Sequence, residues 1–263
     1  MTAHDSYQQG RLREAVTAAL DDVKRSPADV AKRGFLAELL CLSGDLERAD
    51  RQLDAAGEPD PETLVEITLF RQLIRAEIAR QEFFTRGRLP EFLNKDITPD
   101  LRLHLEAAIL VRDGRFAEAA SVLAQANEQR PKFAGTCNGK PFEDICDLDD
   151  LTSSFFEVLS SSGAYYWIPF TRVESLEFGE WTRPRDLLWR RAQMIVRDGP
   201  DADVYLPVVY AGSAADPDDQ IRLGRATKWR GSAGAPMRGV GQRVFLIDED
   251  DCPILDLKKL TFD

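Results

Sequence analysis

Three stretches in the first half of the chain lie over one another without a gap, and this repeat restricts the fold more than any other feature. They are QQGRLREAVTAALDDVKRSP from Gln8, LSGDLERADRQLDAAGEPDP from Leu42 and RDGRFAEAASVLAQANEQRP from Arg112. Each carries a Gly, a Leu or Phe two residues later and an Ala three beyond that: Gly10-Leu12-Ala15, Gly44-Leu46-Ala49 and Gly114-Phe116-Ala119. Gly10 and Gly44 are 34 residues apart, and Gly114 follows 70 later, close to two further periods. A period near 34, with Gly in the turn between helices and Pro at the far end, is the tetratricopeptide arrangement. The Gly supplies a left-handed turn and the Ala lets two helices approach closely. The spacing predicts helices over about 6–25, 28–42, 46–56, 61–84, 99–112 and 116–129, with Pro27, Pro59, Pro61, Pro99 and Pro131 at or just beyond their ends. The segment from Leu64 to Ile78 forms one apolar stripe, either core or the wall of a groove for a partner helix.

Strand-like sequence begins near Gly163. GAYYWIPFTRVESLEFGEWTRPRDLLW packs in three of the four Trp and two adjacent Tyr, broken by Pro169 and Pro184. It reads as a core joining two regions or as a cleft walled by Tyr165, Tyr166, Trp167 and Trp189. Arg183-Pro184-Arg185-Asp186 sets guanidinium beside carboxylate at a position of fixed φ. Downstream, AQMIVRDG, VYLPVVYAG, IRLGRATKWRG, QRVFLIDED and ILDLKKLTF read as strands or strand-plus-turn units, and VFLIDEDDCPILDL as a hairpin with an acidic turn. The connector 132–150 reads as turn-rich, and LTSSFFEVLSSS over 151–162 as an amphipathic helix. Helices followed by strands give an α+β class, not a parallel α/β sheet. The expected division is a tetratricopeptide-like helical domain over 1–134 and a compact β-rich domain over 135–263.

The chemistry is mostly exclusion. A net charge of -11 disfavours nucleic acid. The Arg-rich run 183–197 is the one candidate basic patch, and pairing with the many acids is its simpler use. No apolar run approaches the length of a membrane span. The first fifteen residues lack the apolar segment of a signal peptide, which favours a reduced, cytoplasmic setting. The four cysteines, at 41, 137, 146 and 252, have no metal-ligand spacing. His4 and His104 are isolated, so neither a metal centre nor a Ser-His-Asp triad is expected. Asp144, Asp147, Asp149 and Asp150 lack the Gly and Glu of a calcium loop and suit caps and turns instead. RGVGQRVF precedes a strand and lacks the G-K-[ST] ending of a phosphate loop. No cofactor and no catalysis are expected.

The order of several segments resembles the ImpE/TagJ family of type VI secretion accessory proteins. The resemblance is carried by DVAKRGFLAELLCLSGDLERADRQLDAA, GTCNGKPFEDICDLDD, GAYYWIPFTRVESLEF, PRDLLWRRAQMIVRDG, VYLPVVYAGS, RATKWRG and GQRVFLIDEDDCPILDLKKLTF, which together span nearly the whole chain. It departs at Asp144-Ile145, where the family pattern has an aromatic. The resemblance implies a non-enzymatic adaptor with a tetratricopeptide-like half and a β-rich half. The implied partners are the N-terminal helix of the small sheath subunit, TssB, and the sheath-recycling ATPase, ClpV.

Two surfaces are candidates for that contact. One is the face around Phe35, Leu39, Leu69 and Leu73. The other is the aromatic region of Tyr165, Trp167 and Trp189, with Arg185 and Asp186 either orienting a partner or bridging the two halves. A reading of another class, a small-molecule sensor or enzyme, would require a deep pocket in the β-rich half with convergent polar groups.

Overall fold

A computed structural model describes residues 2–57, 59–93 and 97–263. Seven helices come first: α1 (Ala3–Gln8), α2 (Leu12–Arg25), α3 (Val30–Leu42), α4 (Leu46–Asp54), α5 (Pro61–Arg86), α6 (Pro99–Arg112) and α7 (Phe116–Gln129). Consecutive helices pack on each other through small residues, such as Ala15 and Ala19 of α2 and Ala49 of α4, all buried. The repeat glycines Gly10, Gly44 and Gly114 take φ of 73°, 78° and 76°, the left-handed conformation that an L side chain resists. Gly10 thus splits the helix expected over 6–25 into α1 and α2. Asp29, Asp45 and Asp60 cap α3, α4 and α5 by accepting from backbone N–H groups of the first turn.

The strands follow: β1 (Gly135–Cys137), β2 (Lys140–Phe142), β3 (Ile145–Asp147), β4 (Phe155–Ser160), β5 (Tyr165–Pro169), β6 (Val173–Phe178), β7 (Trp189–Val196), β8 (Asp201–Pro207), β9 (Thr227–Arg230), β10 (Arg238–Gly241), β11 (Val244–Ile247), β12 (Asp250–Pro253) and β13 (Lys259–Phe262). A short helix, α8 (Asp219–Arg222), precedes β9. Eight strands form one antiparallel sheet in the order β2-β1-β13-β6-β7-β8-β4-β5, β12-β11-β3 form a second, and β9 and β10 pair alone. β5 is the outer strand of the large sheet. Beyond it Glu91, in the segment leaving α5, donates its N–H to the Tyr165 carbonyl and accepts from the Trp167 N–H, which covers that edge.

Strand β4 has both faces buried. Phe155 and Leu159 join the core shared with the helices, while Phe156 and Val158 join a second core toward β11. On β5, Tyr165 and Trp167 face the helices and Ile168 faces the second core. The helix expected over 151–162 is therefore replaced by a short 3-10 turn (Asp150–Thr152) and a strand. A strand buried on both faces loses its alternation, and a short apolar run then reads equally well as helix. Two further expectations shift in detail. The connector 132–150 holds three short strands, and the segment IRLGRATKWRG divides into α8 and β9. The acidic hairpin is formed by β11 and β12, with Val244 opposite Pro253 and Ile247 opposite Asp250.

Candidate functional site

Helix α5 joins the two halves. Its inner stripe runs Phe70, Leu73, Glu77, Arg80, Phe83, all buried, so two charged residues stand where the pattern asks for apolar ones. Arg80 is 1% exposed and donates from Nε and Nη2 to the two oxygens of Glu157 on β4, at 2.9 Å each. It also donates to Glu77 Oε1 at 3.1 Å and to the Val209 carbonyl at 3.1 Å. Glu77 accepts the Trp189 indole N–H at 3.1 Å. Glu157 further accepts from the Tyr165 hydroxyl and from Arg243, and the Trp167 indole donates to the Tyr165 oxygen at 2.6 Å. Arg243 passes the chain on to Asp147 at 2.6 Å, which also accepts from Tyr210 at 2.8 Å and Thr152 at 2.9 Å.

The electrostatics follow from the partners. Burial would raise the Glu157 carboxyl, but Arg80 and Arg243 outweigh it and hold it at about 2. At Asp147 burial prevails over the single guanidinium of Arg243 and pushes the group up to about 6. With both Glu157 oxygens and Arg80 fully engaged, this network fastens α5 to the sheet, and its one unbonded nitrogen, Arg243 Nε, is buried.

The histidine expected to stand alone has a partner. His104 Nε2 lies 3.0 Å from Ser154 Oγ, and burial lowers the ring to about 4, with the Asp100 charge opposing. The pair does not form a triad, because no carboxylate bonds Nδ1 and both side chains are buried. The acidic connector residues are likewise committed. Asp144 pairs with Arg130, Asp149 with Arg238, and Asp150 accepts the Met237 N–H. In the Arg-rich run, Arg183 pairs with Glu66 and Arg191 with Asp203, while Arg190 donates to the Gly179 and Ile254 carbonyls. Among the described residues no cluster of His, Cys, Asp or Glu is placed to hold a metal ion, and no helix is long and apolar enough to cross a membrane.

Two concavities flank the network. One, of about 450 Å³, lies between the helices and the segment 208–215, bordered by Cys41, Gln81, Trp189, Tyr210 and Arg238. Several of its polar walls are already bonded, Glu77 and Arg80 to the network and Arg238 to Asp149, whereas the buried Arg222 Nε at its border makes no hydrogen bond. The other, of about 560 Å³, is a groove between α3, the first turns of α5 and the 3-10 turn Pro184–Leu187. Its lining is mainly apolar, with Val30, Phe35, Leu53, Ile67 and Phe70 around Glu38. His4 stacks on Phe35 with ring centroids 3.9 Å apart. Where a Cβ would stand on Gly34, nothing lies within 4 Å, so the groove is open at its α3 wall.

The two surfaces expected from sequence prove to be parts of one interior. Leu39, Leu73, Tyr165, Trp167 and Trp189 are all buried in the core that spans both halves. Phe70 meets Trp189 edge-on at 6.0 Å, and Trp167 stacks on Phe155 at 4.1 Å. Close packing of this kind leaves those five almost no exposed surface, Trp189 alone among them bordering the first concavity. Phe35 and Leu69 are half-buried, and only Phe35 borders the groove. Arg185 and Asp186 do not pair. Arg185 lies over the Phe70 ring at 5.4 Å, and Asp186 accepts from the Thr182 and Arg183 N–H groups. The reading as a bridge fits Arg185, which reaches from the β-rich half onto α5.

Sequence reasoning passed over Arg80, Glu157, Arg243 and Glu38. A signal existed for two of them, since Arg80 interrupts the apolar stripe of α5 and Glu38 the apolar run Phe35–Leu42. Glu157 comes from β4 and Arg243 from the link between β10 and β11, both distant in sequence, and they carry none.

The geometry defines an α+β protein in which a helical layer is locked to an antiparallel sheet and an apolar groove stays accessible. The profile of the ImpE protein family matches residues 139–261. The type VI secretion system accessory component TagJ of Pseudomonas aeruginosa is 32% identical over 263 residues, covering 100% of this chain and 92% of that protein. The crystal structure of protein VPA1032 from Vibrio parahaemolyticus is similar with a TM-score of 0.91 at 25% identity, covering 99% of this chain and 97% of that one. The chain belongs to the ImpE/TagJ family of type VI secretion accessory proteins.

Proposed function

We propose that this protein is a non-enzymatic, cytoplasmic adaptor of a type VI secretion system. It binds the small sheath subunit, a TssB-like protein, through that subunit's amphipathic N-terminal helix, and so modulates sheath assembly or recycling by the ClpV ATPase. The helical domain, 1–134, is of tetratricopeptide type and supplies the contact, while the β-rich domain, 135–263, holds it in shape. The observation that carries the reading is the accessible apolar groove between α3 and α5, since stacked helices offer such grooves to the apolar face of a partner helix. Phe35 and Arg185 are the residues expected from sequence that border it.

The test is calorimetric titration of the protein with the N-terminal helix of the cognate small sheath subunit, as peptide and within the intact subunit. Saturable binding that is lost when the helix's apolar face is made polar is expected. No binding to either form removes this function.

A second reading, a small-molecule sensor or enzyme, is favoured by the concavity of about 450 Å³, a size in the range of ligand sites. It is the weaker reading, because Glu77, Arg80 and Arg238 in that cavity's walls are committed to hydrogen bonds within the fold. Thermal-shift screening against metabolites would raise it if a ligand stabilised the protein saturably.

A further inference from the structure

The groove contains one feature that an apolar helix face alone would not satisfy. Glu38 is 9% exposed, borders the groove and makes no hydrogen bond or ion pair among the described residues. A carboxylate buried to that extent without a donor is costly, and its usual remedy is a cation held against it. Neither cation nearby makes a hydrogen bond or ion pair with Glu38, although Arg185 opposes its burial from across the groove. Arg183 is clamped bidentately on Glu66 at 2.9 and 3.1 Å, and Arg185 lies over Phe70. With Glu38 ionised the local balance is one negative charge, Glu38, Glu66 and Asp186 facing Arg183 and Arg185, so a further cation is what ionised Glu38 lacks.

The apolar surface also continues beyond the cavity. Leu64, one turn before Ile67 on α5, is 52% exposed, and Val65 beside it is 69% exposed. An elongated apolar track with one buried negative point suits a helix better than a small amine, which would leave the track uncovered.

We infer that Glu38 is the specificity-determining residue of this groove, accepting a single Lys or Arg carried among aliphatic residues on the docked helix. The inference rests on the adaptor reading and adds the chemistry by which one helix is chosen over others of similar apolar face. The partner's aliphatic residues cover Phe35, Ile67 and Leu64, and its cation completes Glu38.

The experiment uses the full chain and the sheath-subunit helix as probe. Each basic residue of the helix is replaced in turn by Met, and each peptide is titrated into wild-type protein, Glu38→Gln and Gly34→Leu. One replacement should weaken binding to wild type by roughly tenfold to a hundredfold, as expected for a charge-assisted hydrogen bond. On Glu38→Gln the same replacement should change affinity by less than about twofold, because the coupling is gone. Gly34→Leu should keep or raise the wild-type melting temperature, since a Cβ there meets nothing within 4 Å and Leu favours the helix, and should abolish binding by filling the groove. If wild type binds but Glu38→Gln and Gly34→Leu bind equally well, the groove is not the site and the adaptor reading stands without it. If Gly34→Leu blocks binding but no basic residue couples to Glu38, the groove stands and the cation is overturned. If neither peptide nor intact subunit binds wild type, both readings fall together.

Discussion

Glu157 and Glu38 are both buried carboxylates close to the helical layer, and their surroundings drive them in opposite directions. Glu157 receives two hydrogen bonds from Arg80 and one each from Arg243 and Tyr165, and is held at about 2. Glu38 receives none, and burial pushes it up to about 7, with Arg185 the leading opposing charge. Burial alone therefore does not assign a role to a charged residue. A carboxylate whose lone pairs are all filled by the fold determines architecture, whereas one whose lone pairs are unfilled retains capacity to bind.

The largest effect that would break this contrast lies at Arg80. Arg80→Met leaves Glu157 with half its donors and Glu77 without its guanidinium, and should cost about 3–5 kcal/mol of stability in urea unfolding. In wild type, Trp167 and Trp189 sit in the core shared by helices and sheet. Their fluorescence should thus change at the same urea concentration as the helical circular dichroism signal. In Arg80→Met the two signals should separate. A loss below about 1 kcal/mol would mean that apolar packing, not the ion network, joins the halves.

Much of the fold was legible because it depends on local rules. The 34-residue spacing, the three repeat glycines and the Pro boundaries placed the helices, since turn chemistry acts within a few residues. The β-rich half was legible as strands wherever one side was polar, as in β7, where Arg191 and Gln193 alternate with the buried Ala192 and Met194. β4 was not legible, because packing on both faces removed its period, and the arginine that licenses its central Glu157 lies 77 residues away. The site suffered in the same way. Aromatics drew attention to Tyr165, Trp167 and Trp189, and aromatic density marked the seam between the halves, where large side chains fill a core. Glu38 was overlooked because a lone acid in an apolar run carries meaning only once its partners can be counted.

The next effect in size concerns Glu38 and pH. The groups facing it are Arg183, Arg185 and Asp186 from the turn, Glu66 from α5, and His4 and Tyr7 from α1. Its folded value of about 7 exceeds the ordinary 4.5, so between those limits the native protein binds more protons than the unfolded chain. Its contribution to stability is complete below about 4.5 and is lost as pH rises toward 7. Glu38→Gln should therefore match wild type near pH 4.5 and exceed it by up to about 3 kcal/mol at pH 8. Paired urea titrations at the two values check this. A difference independent of pH would show that Glu38 ionises in the groove at no penalty, and the contrast with Glu157 would dissolve.

The smallest effect lies at the rim of the groove, where Arg183 and Glu66 make a bidentate pair with both side chains nearly half exposed. Water and salt screen such a pair, so Arg183→Ala should cost only about 0.2–1 kcal/mol, and less in 1 M salt. Asp186→Ala acts differently, because Asp186 accepts the Thr182 and Arg183 N–H groups and shapes the turn that roofs the groove. Its loss should resemble that of a cap, about 1 kcal/mol and insensitive to salt. Unfolding curves at low and high salt separate the two. Should Arg183→Ala instead approach the cost of Arg80→Met, the rim would be as firmly built as the network. The groove would then be a fixed part of the seam between the halves and not a surface kept for a partner.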